Sequence, residues 1–178
     1  MKKLHLLLTV LISALIIVGC EDKFTGVQNP VGPNSGQKPD DGNDDGNDVV
    51  IDLTKDYPLI STIPTFVTED MTEDVTIIVN GKGTAIDGFT GDLYAHTGVI
   101  TSASTGPSDW KYTKADWTEN TPACKLKKVG AEIWTLTLKG GPRAFYGVPA
   151  GESIERLAFV FRSGDGTKEL KNNGNDIF

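Results

Sequence analysis

Short runs of alternating apolar residues are the feature that most constrains the fold of this chain. In the segment VTIIVN, Val75, Ile77 and Val79 fall on the same side of an extended backbone. The segments LYAHTG, IWTLTL and LAFVFR repeat the pattern. A period of two is that of a half-buried β-strand, whereas an amphipathic helix requires a period of 3.6. No window of a dozen residues has the helical period, so the sequence predicts strands.

Turn signals separate these runs: Asn80-Gly81, Lys139-Gly140-Gly141-Pro142 and Ser163-Gly164-Asp165-Gly166. Several short strands in one domain with such turns predict an all-β fold, and more specifically an immunoglobulin-like β-sandwich. We expect this domain to occupy residues 49–178, starting near Val49 or Tyr57. Trp134 lies on the apolar side of IWTLTL, which predicts a core position.

The sequence ends on Asp176-Ile177-Phe178, where apolar residues resemble the beginning of a strand. Two interpretations are open. Either the last strand is very short, or the domain is truncated there and forms the N-terminal module of something longer.

The N-terminus predicts export and lipid attachment. Lys2 and Lys3 precede an apolar stretch that ends in Ile-Val-Gly-Cys. This stretch is shorter than the roughly 20 residues of a membrane-spanning helix, and a basic start with small residues before the cut is typical of a secretory signal peptide. The ending resembles a lipobox, so we expect residues 1–19 to be a lipoprotein signal peptide. Cys20 would then carry the acyl chains that anchor the protein to a membrane.

Glu21 and Asp22 follow the predicted lipidated cysteine directly. An acidic pair at this place resembles the surface-export signal of Bacteroidetes lipoproteins, although it also suits the beginning of a solvated linker. We therefore expect a lipid-anchored protein of the outer membrane that faces the cell exterior. The membrane is then one partner, through the lipid.

Residues 20–48 are rich in Gly, Asn, Asp and Pro, which predicts a disordered, acidic tether. Within it, Asp41, Asn43 and Asp45 begin like a calcium loop, but Asp48 stands where an EF-hand needs an apolar residue, and we predict no metal. The signal peptide holds two of the 17 basic residues and none of the 24 acidic residues, so the mature chain has a net charge of −9. Such a charge argues against binding nucleic acid.

Residues for chemistry are scarce. After the predicted cleavage the chain keeps one histidine, His96, and one cysteine besides Cys20, namely Cys124. No HExxH, GxSxG, Walker or GxGxxG motif occurs. We predict neither a catalytic site nor a cofactor, and we expect Cys124 to be a small buried or half-buried side chain.

The segment from Ser102 to Pro122 is polar and contains proline, yet it holds three large aromatic residues: Trp110, Tyr112 and Trp117. Its composition predicts a loop or a sheet edge. Indole rings stack on the flat C–H faces of sugars, and nearby polar groups such as Lys111 and Asn120 orient the hydroxyls. The segment therefore suggests a carbohydrate-binding site. In the alternative interpretation, the tryptophans fold back to cover one end of the domain.

A resemblance to a known module is carried by five strings: GDLYAHTGVIT, SDWKY, CKLKKVGAEIWTLTL, FYGVPAGESIERLAFVFRSGDGTKE and DIF. They resemble the β-sandwich that precedes the catalytic domain in Bacteroidetes α-amylase-family proteins and that occurs in starch-utilisation-type surface lipoproteins. The resemblance covers about residues 57–178. It implies binding of a starch-like α-glucan by paired aromatics with a lysine and an amide, which Trp110, Trp117, Lys111 and Asn120 would supply.

Two functions remain in competition. The first is a surface lipoprotein that binds a polysaccharide, together with other outer-membrane proteins of glycan uptake. The second is a non-catalytic spacer or assembly module, which includes the N-terminal part of a truncated α-amylase-family enzyme. The exposure and arrangement of Trp110 and Trp117 discriminate between them.

Overall fold

The computed structural model describes residues 49–178, and all of them belong to one compact unit of the chain. The predicted signal peptide (residues 1–19), the lipidation site Cys20 and the tether (residues 20–48) lie outside the described residues. Within the described range the elements are β1 (Ile60–Ile63), β2 (Val75–Asn80), β3 (Leu93–Thr101), a 3₁₀ helix (Pro122–Cys124), β4 (Lys127–Lys128), β5 (Ile133–Leu138), α1 (Gly141–Tyr146), β6 (Ile154–Ser163) and β7 (Glu169–Leu170).

The strands form two antiparallel sheets, one in the order β1-β2-β5-β4 and one in the order β3-β6-β7. The predicted all-β class is confirmed. The four segments with a period of two are β2, the first part of β3, β5 and the second half of β6. Strands β3 and β6 pair along nearly their whole length, with His96 opposite Val160 and Tyr94 opposite Arg162.

One cluster of buried side chains contains residues of both sheets. Its strand members include Val75, Ile77, Val79, Leu93, Ala95, Trp134, Leu136, Leu138, Phe159 and Phe161. These residues lie on the inward side of each strand, as the alternation predicts. Trp134 is 2% exposed and packs on the ring of Phe89, so the predicted core position is confirmed. Cys124 is also buried, as expected, and burial raises the pKa of its thiol.

The predicted turn at Lys139–Pro142 opens into the six-residue helix α1 instead of leading directly into another strand. Pro142 in the first helical turn lacks an N–H that would have no partner there, and its fixed φ suits a helix. Gly140 and Gly147 flank the helix with φ angles of 70° and 75°, which residues with a Cβ rarely adopt. The helix buries Tyr146, whose hydroxyl lies 2.6 Å from Oγ1 of Thr97 on β3.

The segment between β3 and β4 returns along the edge of β3, as the composition predicts. Val99 and Lys111 exchange two backbone hydrogen bonds of 3.0 and 2.8 Å, and the amide of Lys114 donates to the carbonyl of Thr97 at 3.0 Å. Gly98 permits this close approach, because a Cβ there would lie 2.9 Å from the carbonyl oxygen of Lys111. The pairing brings Trp110 and Trp117 beside the outward side of β3.

Candidate carbohydrate-binding site

The site is built on the face of the β3–β6 pair that points away from the core. Because side chains alternate along β3, the inward positions of Ala95 and Thr97 leave His96 outward. Its neighbours on the same face are Val160 directly opposite and Arg162 on the diagonal. His96 is half-buried, since other side chains pack on it from outside the sheet.

Both predicted tryptophans pack on His96. The indole of Trp110 stacks on the imidazole with 5.5 Å between ring centroids and 22° between planes. Trp117 approaches edge-on, at 5.1 Å and 74°, so the two indole planes are steeply inclined to each other. Trp110 is half-buried and its Nε1 donates to the carbonyl of Pro107 at 3.1 Å, whereas Trp117 is 37% exposed. One indole is therefore held in place and the other remains open to solvent.

A third large ring joins them from the opposite side of β6. Phe178 meets Trp110 with 6.5 Å between centroids and 75° between planes, and it is 50% exposed. The guanidinium of Arg156 lies 5.9 Å from the centre of the Phe178 ring. We refer to the rings of His96, Trp110, Trp117 and Phe178 as the aromatic patch.

A buried arginine fixes the segment that carries Trp117. Arg162 is 2% exposed, and its guanidinium donates to Oδ1 of Asn120 at 2.9 Å and to the carbonyl of Glu119 at 2.7 Å. The same group lies 6.0 Å from the centre of the Trp117 ring. A buried charge needs such partners, because desolvation without them is costly. Arg162 thus ties the segment after Trp117 to the sheet.

The electrostatics of the patch keep His96 neutral. Burial lowers the pKa of the imidazole, and the charge of Arg162 lowers it further, although a hydrogen bond with the backbone of Ala115 and the carboxylates of Asp176 and Asp116 act in the opposite direction. Within residues 49–178, Nδ1 of His96 is buried without a hydrogen-bond partner. Trp110 therefore stacks on a neutral ring at neutral pH.

The remaining predicted site residues are divided between two places. Asn120 is connected to the aromatic patch through Arg162, but its amide is already engaged, since Nδ2 donates to the carbonyl of Gly164 at 2.9 Å. Lys111 and Tyr112 belong to a second group. Lys111 pairs with Asp109 at 2.9 Å, and the hydroxyl of Tyr112 donates to Glu152 at 2.6 Å.

The backbone explains why Tyr112 does not join the two tryptophans. Its φ angle is 51°, in the left-handed region, so the alternation that would place it on the side of Trp110 is interrupted. Tyr112 packs against the buried core instead. Sequence reasoning had no signal for this turn, because left-handed tyrosines are rare.

Three residues of the site were not predicted from the sequence: His96, Phe178 and Arg162. A signal for Phe178 existed. Ile177 and Phe178 are adjacent apolar residues, so in an extended chain one of them must face away from the core. Arg162 ends the run LAFVFR on the side opposite Phe159 and Phe161. An arginine at the end of a strand usually faces solvent, so the sequence gave no reason to expect its burial.

Glu152 of the second group and Glu69 beside Arg143 both serve as hydrogen-bond acceptors. Glu152 accepts from the hydroxyls of Thr101 and Tyr112, and these bonds lower the pKa of its carboxyl group, the bond from Thr101 more strongly. Glu69 accepts from Arg143 and from the backbone amide of Ile154, each at 2.6 Å. Across the part of the chain that the structure describes, no three His, Cys, Asp or Glu side chains gather as a metal site would require.

No protein-family model matches this sequence, and no curated protein is significantly similar to it. Among residues 49–178, no helix combines the length and hydropathy that crossing a membrane requires.

Proposed function

We propose that this chain is a lipid-anchored protein of the outer membrane, facing the cell exterior, that binds an α-glucan through the aromatic patch as part of glycan uptake. We further infer that its two sheets pack face to face as an immunoglobulin-like β-sandwich. The second inference is supported by the single buried cluster to which both sheets contribute.

The observation that carries the binding proposal is the convergence of Trp110 and Trp117 on one sheet face with Phe178. Large partly exposed rings gathered at one place are typical of ligand or partner surfaces. Sugars stack on such rings through their C–H faces and need polar groups beside them for their hydroxyls. Arg156 and Asp116 are exposed beside the patch and offer a donor and an acceptor.

Binding should be of modest affinity. Stacking on a partly exposed ring is worth about 1–2 kcal/mol per aromatic, by analogy with other stacking contacts. We therefore expect a dissociation constant between roughly 10 µM and 1 mM. Trp117→Ala and Trp110→Ala should each weaken binding about tenfold, which corresponds to 1.4 kcal/mol.

The test uses the chain from residue 21 onward, in affinity electrophoresis on gels that contain starch, pullulan, dextran or xylan, followed by isothermal titration. Phe66→Ala is the matched control, because Phe66 is 85% exposed and lies outside the aromatic patch. Retardation by starch and pullulan that both tryptophan variants lose and the control keeps is the expected result. If none of the four polysaccharides retards the protein, the proposal is wrong.

A second candidate function is a structural or assembly module. Trp110 favours it, because this ring is half-buried, stacked on His96 and hydrogen-bonded to Pro107, as expected of a residue that covers a sheet face. Under this alternative, Trp110→Ala and Trp117→Ala lower the melting temperature strongly and no glycan binds. Glycan binding by the wild type, together with the thermal melt of Trp117→Ala, therefore separates the two functions.

A further inference from the structure

Phe178 reaches the aromatic patch by strand pairing. The backbone of Ile177 exchanges hydrogen bonds of 2.9 and 3.0 Å with Phe159 on β6, and the Ile177 side chain is buried in the core cluster. Because successive side chains of an extended chain point to opposite faces, Phe178 points to the outward face of β6. It is thus held on the same face as His96 from the far side of β6.

The rings of the patch follow one another in contact. Trp117 approaches His96 edge-on, Trp110 stacks on His96, and Phe178 meets Trp110 on its other flank. Trp110 is next to the residue that pairs with Val99 of β3, whereas Phe178 is next to the residue that pairs with Phe159 of β6. The two rings therefore come from opposite edges of the β3–β6 pair, and the patch crosses this pair.

The aromatic patch is curved and not flat. Phe178 is inclined at 75° to Trp110, and Trp117 at 74° to the imidazole on which Trp110 lies. A flat, ribbon-like polysaccharide presents all its sugar faces in one plane and needs coplanar rings. A chain whose sugar faces turn from one residue to the next suits rings that are inclined to their neighbours.

From this geometry we infer that Phe178 is a third binding residue, and that the aromatic patch takes one curved, linear glycan segment that passes from Trp117 over Trp110 to Phe178, with Arg156 donating hydrogen bonds at the Phe178 end. The inference rests on the proposed function and adds the length and shape of the ligand. A disaccharide covers the two tryptophans only, whereas a longer chain also reaches Phe178.

The experiment is isothermal titration of the chain from residue 21 onward with maltose, maltotriose, maltoheptaose and cellohexaose. The wild type should bind maltoheptaose at least tenfold more tightly than maltose. It should bind cellohexaose more weakly than maltotriose and maltoheptaose. Phe178→Ala should weaken maltoheptaose binding about tenfold and leave maltose binding within twofold. Phe178→Trp should retain the affinity for maltoheptaose, and Phe66→Ala should behave as the wild type.

The outcomes separate this inference from the proposed function. If Trp110→Ala and Trp117→Ala lose maltoheptaose while Phe178→Ala binds it like Phe66→Ala, the third ring is refuted and glycan binding stands. Equal binding of cellohexaose and maltoheptaose refutes the curved shape. Absence of binding to every sugar by the wild type refutes both proposals. Melting temperatures confirm that each variant is folded, as we expect for the half-exposed Phe178.

Discussion

Replacing Arg162 by lysine tests whether a buried guanidinium holds the segment that carries Trp117. Arg162 donates to Asn120, to the carbonyl of Glu119 and, at 3.2 Å, to the carbonyl of Ser163. A planar guanidinium reaches these acceptors from a fixed fork, whereas an ammonium is a compact charge on a flexible stem. Lysine keeps the charge but loses the fork of donors that serves the three acceptors together.

The magnitude follows from the lost bonds. A hydrogen bond from a charged donor contributes about 1.5–3 kcal/mol net. Asn120 and Glu119 are exposed, so their freed acceptors can bind water, which reduces the loss. We therefore expect Arg162→Lys to cost roughly 2–3 kcal/mol of the free energy of unfolding, and to lower the melting temperature by about 6–15 °C for a domain of this size.

The assay is a thermal melt, with tryptophan fluorescence at low temperature to detect release of Trp117 from the sheet. Arg156→Lys is the control, because Arg156 lies on the same face of β6 but is exposed and should change the stability by less than about 0.5 kcal/mol. Equal melting temperatures for the two variants would refute the view that Arg162 secures this segment.

Trp134→Ala should cost about 3–5 kcal/mol of the free energy of unfolding, because it empties a core position. Trp134→Phe should cost less, since Nε1 of Trp134 has no hydrogen-bond partner within residues 49–178. A denaturant titration measures both. Because the folded state lowers the pKa of His96, the free energy of unfolding should fall as the pH drops below about 6.5. His96→Gln should remove this loss of stability between pH 7 and 5. If the variant keeps the pH profile of the wild type, the argument from the burial of His96 is wrong. Cys20→Ala should abolish labelling by a palmitate analogue, and labelling that persists would overturn the lipoprotein prediction.

Sequence reasoning recovered the long strands because their signal is local. In β2 and β5 every second residue is apolar, and that alternation alone identifies the strand and its inward face. The two-residue strands β4 and β7 carry no such pattern, and the charged pair Lys127–Lys128 gives no indication of a strand. Their pairing is decided by neighbours in the sheet, which a single sequence does not display.

The same distinction between local and long-range signals explains why only part of the site was predictable. Trp110 and Trp117 indicated a site, because two indoles in a polar segment require an explanation. That they meet over His96 depends on the pairing of Val99 with Lys111, which places the segment along β3. Phe178 lies more than 60 positions from Trp110 in the sequence and meets it only through the pairing of Ile177 with Phe159. Such long-range contacts follow from topology, not from composition.

The half-buried state of Trp110 does not by itself decide between binding and structural support. A ring that stacks on His96 and donates to Pro107 is held in one orientation before any ligand arrives. Ordering a free side chain on binding costs about 0.5–1.5 kcal/mol, so a ring that is already fixed binds more favourably than a mobile one. The contacts that make Trp110 part of the fold would therefore also strengthen a sugar contact on its open side. For this reason a lower melting temperature of Trp110→Ala does not refute binding, and Trp117, more exposed and without that hydrogen bond, gives the cleaner comparison.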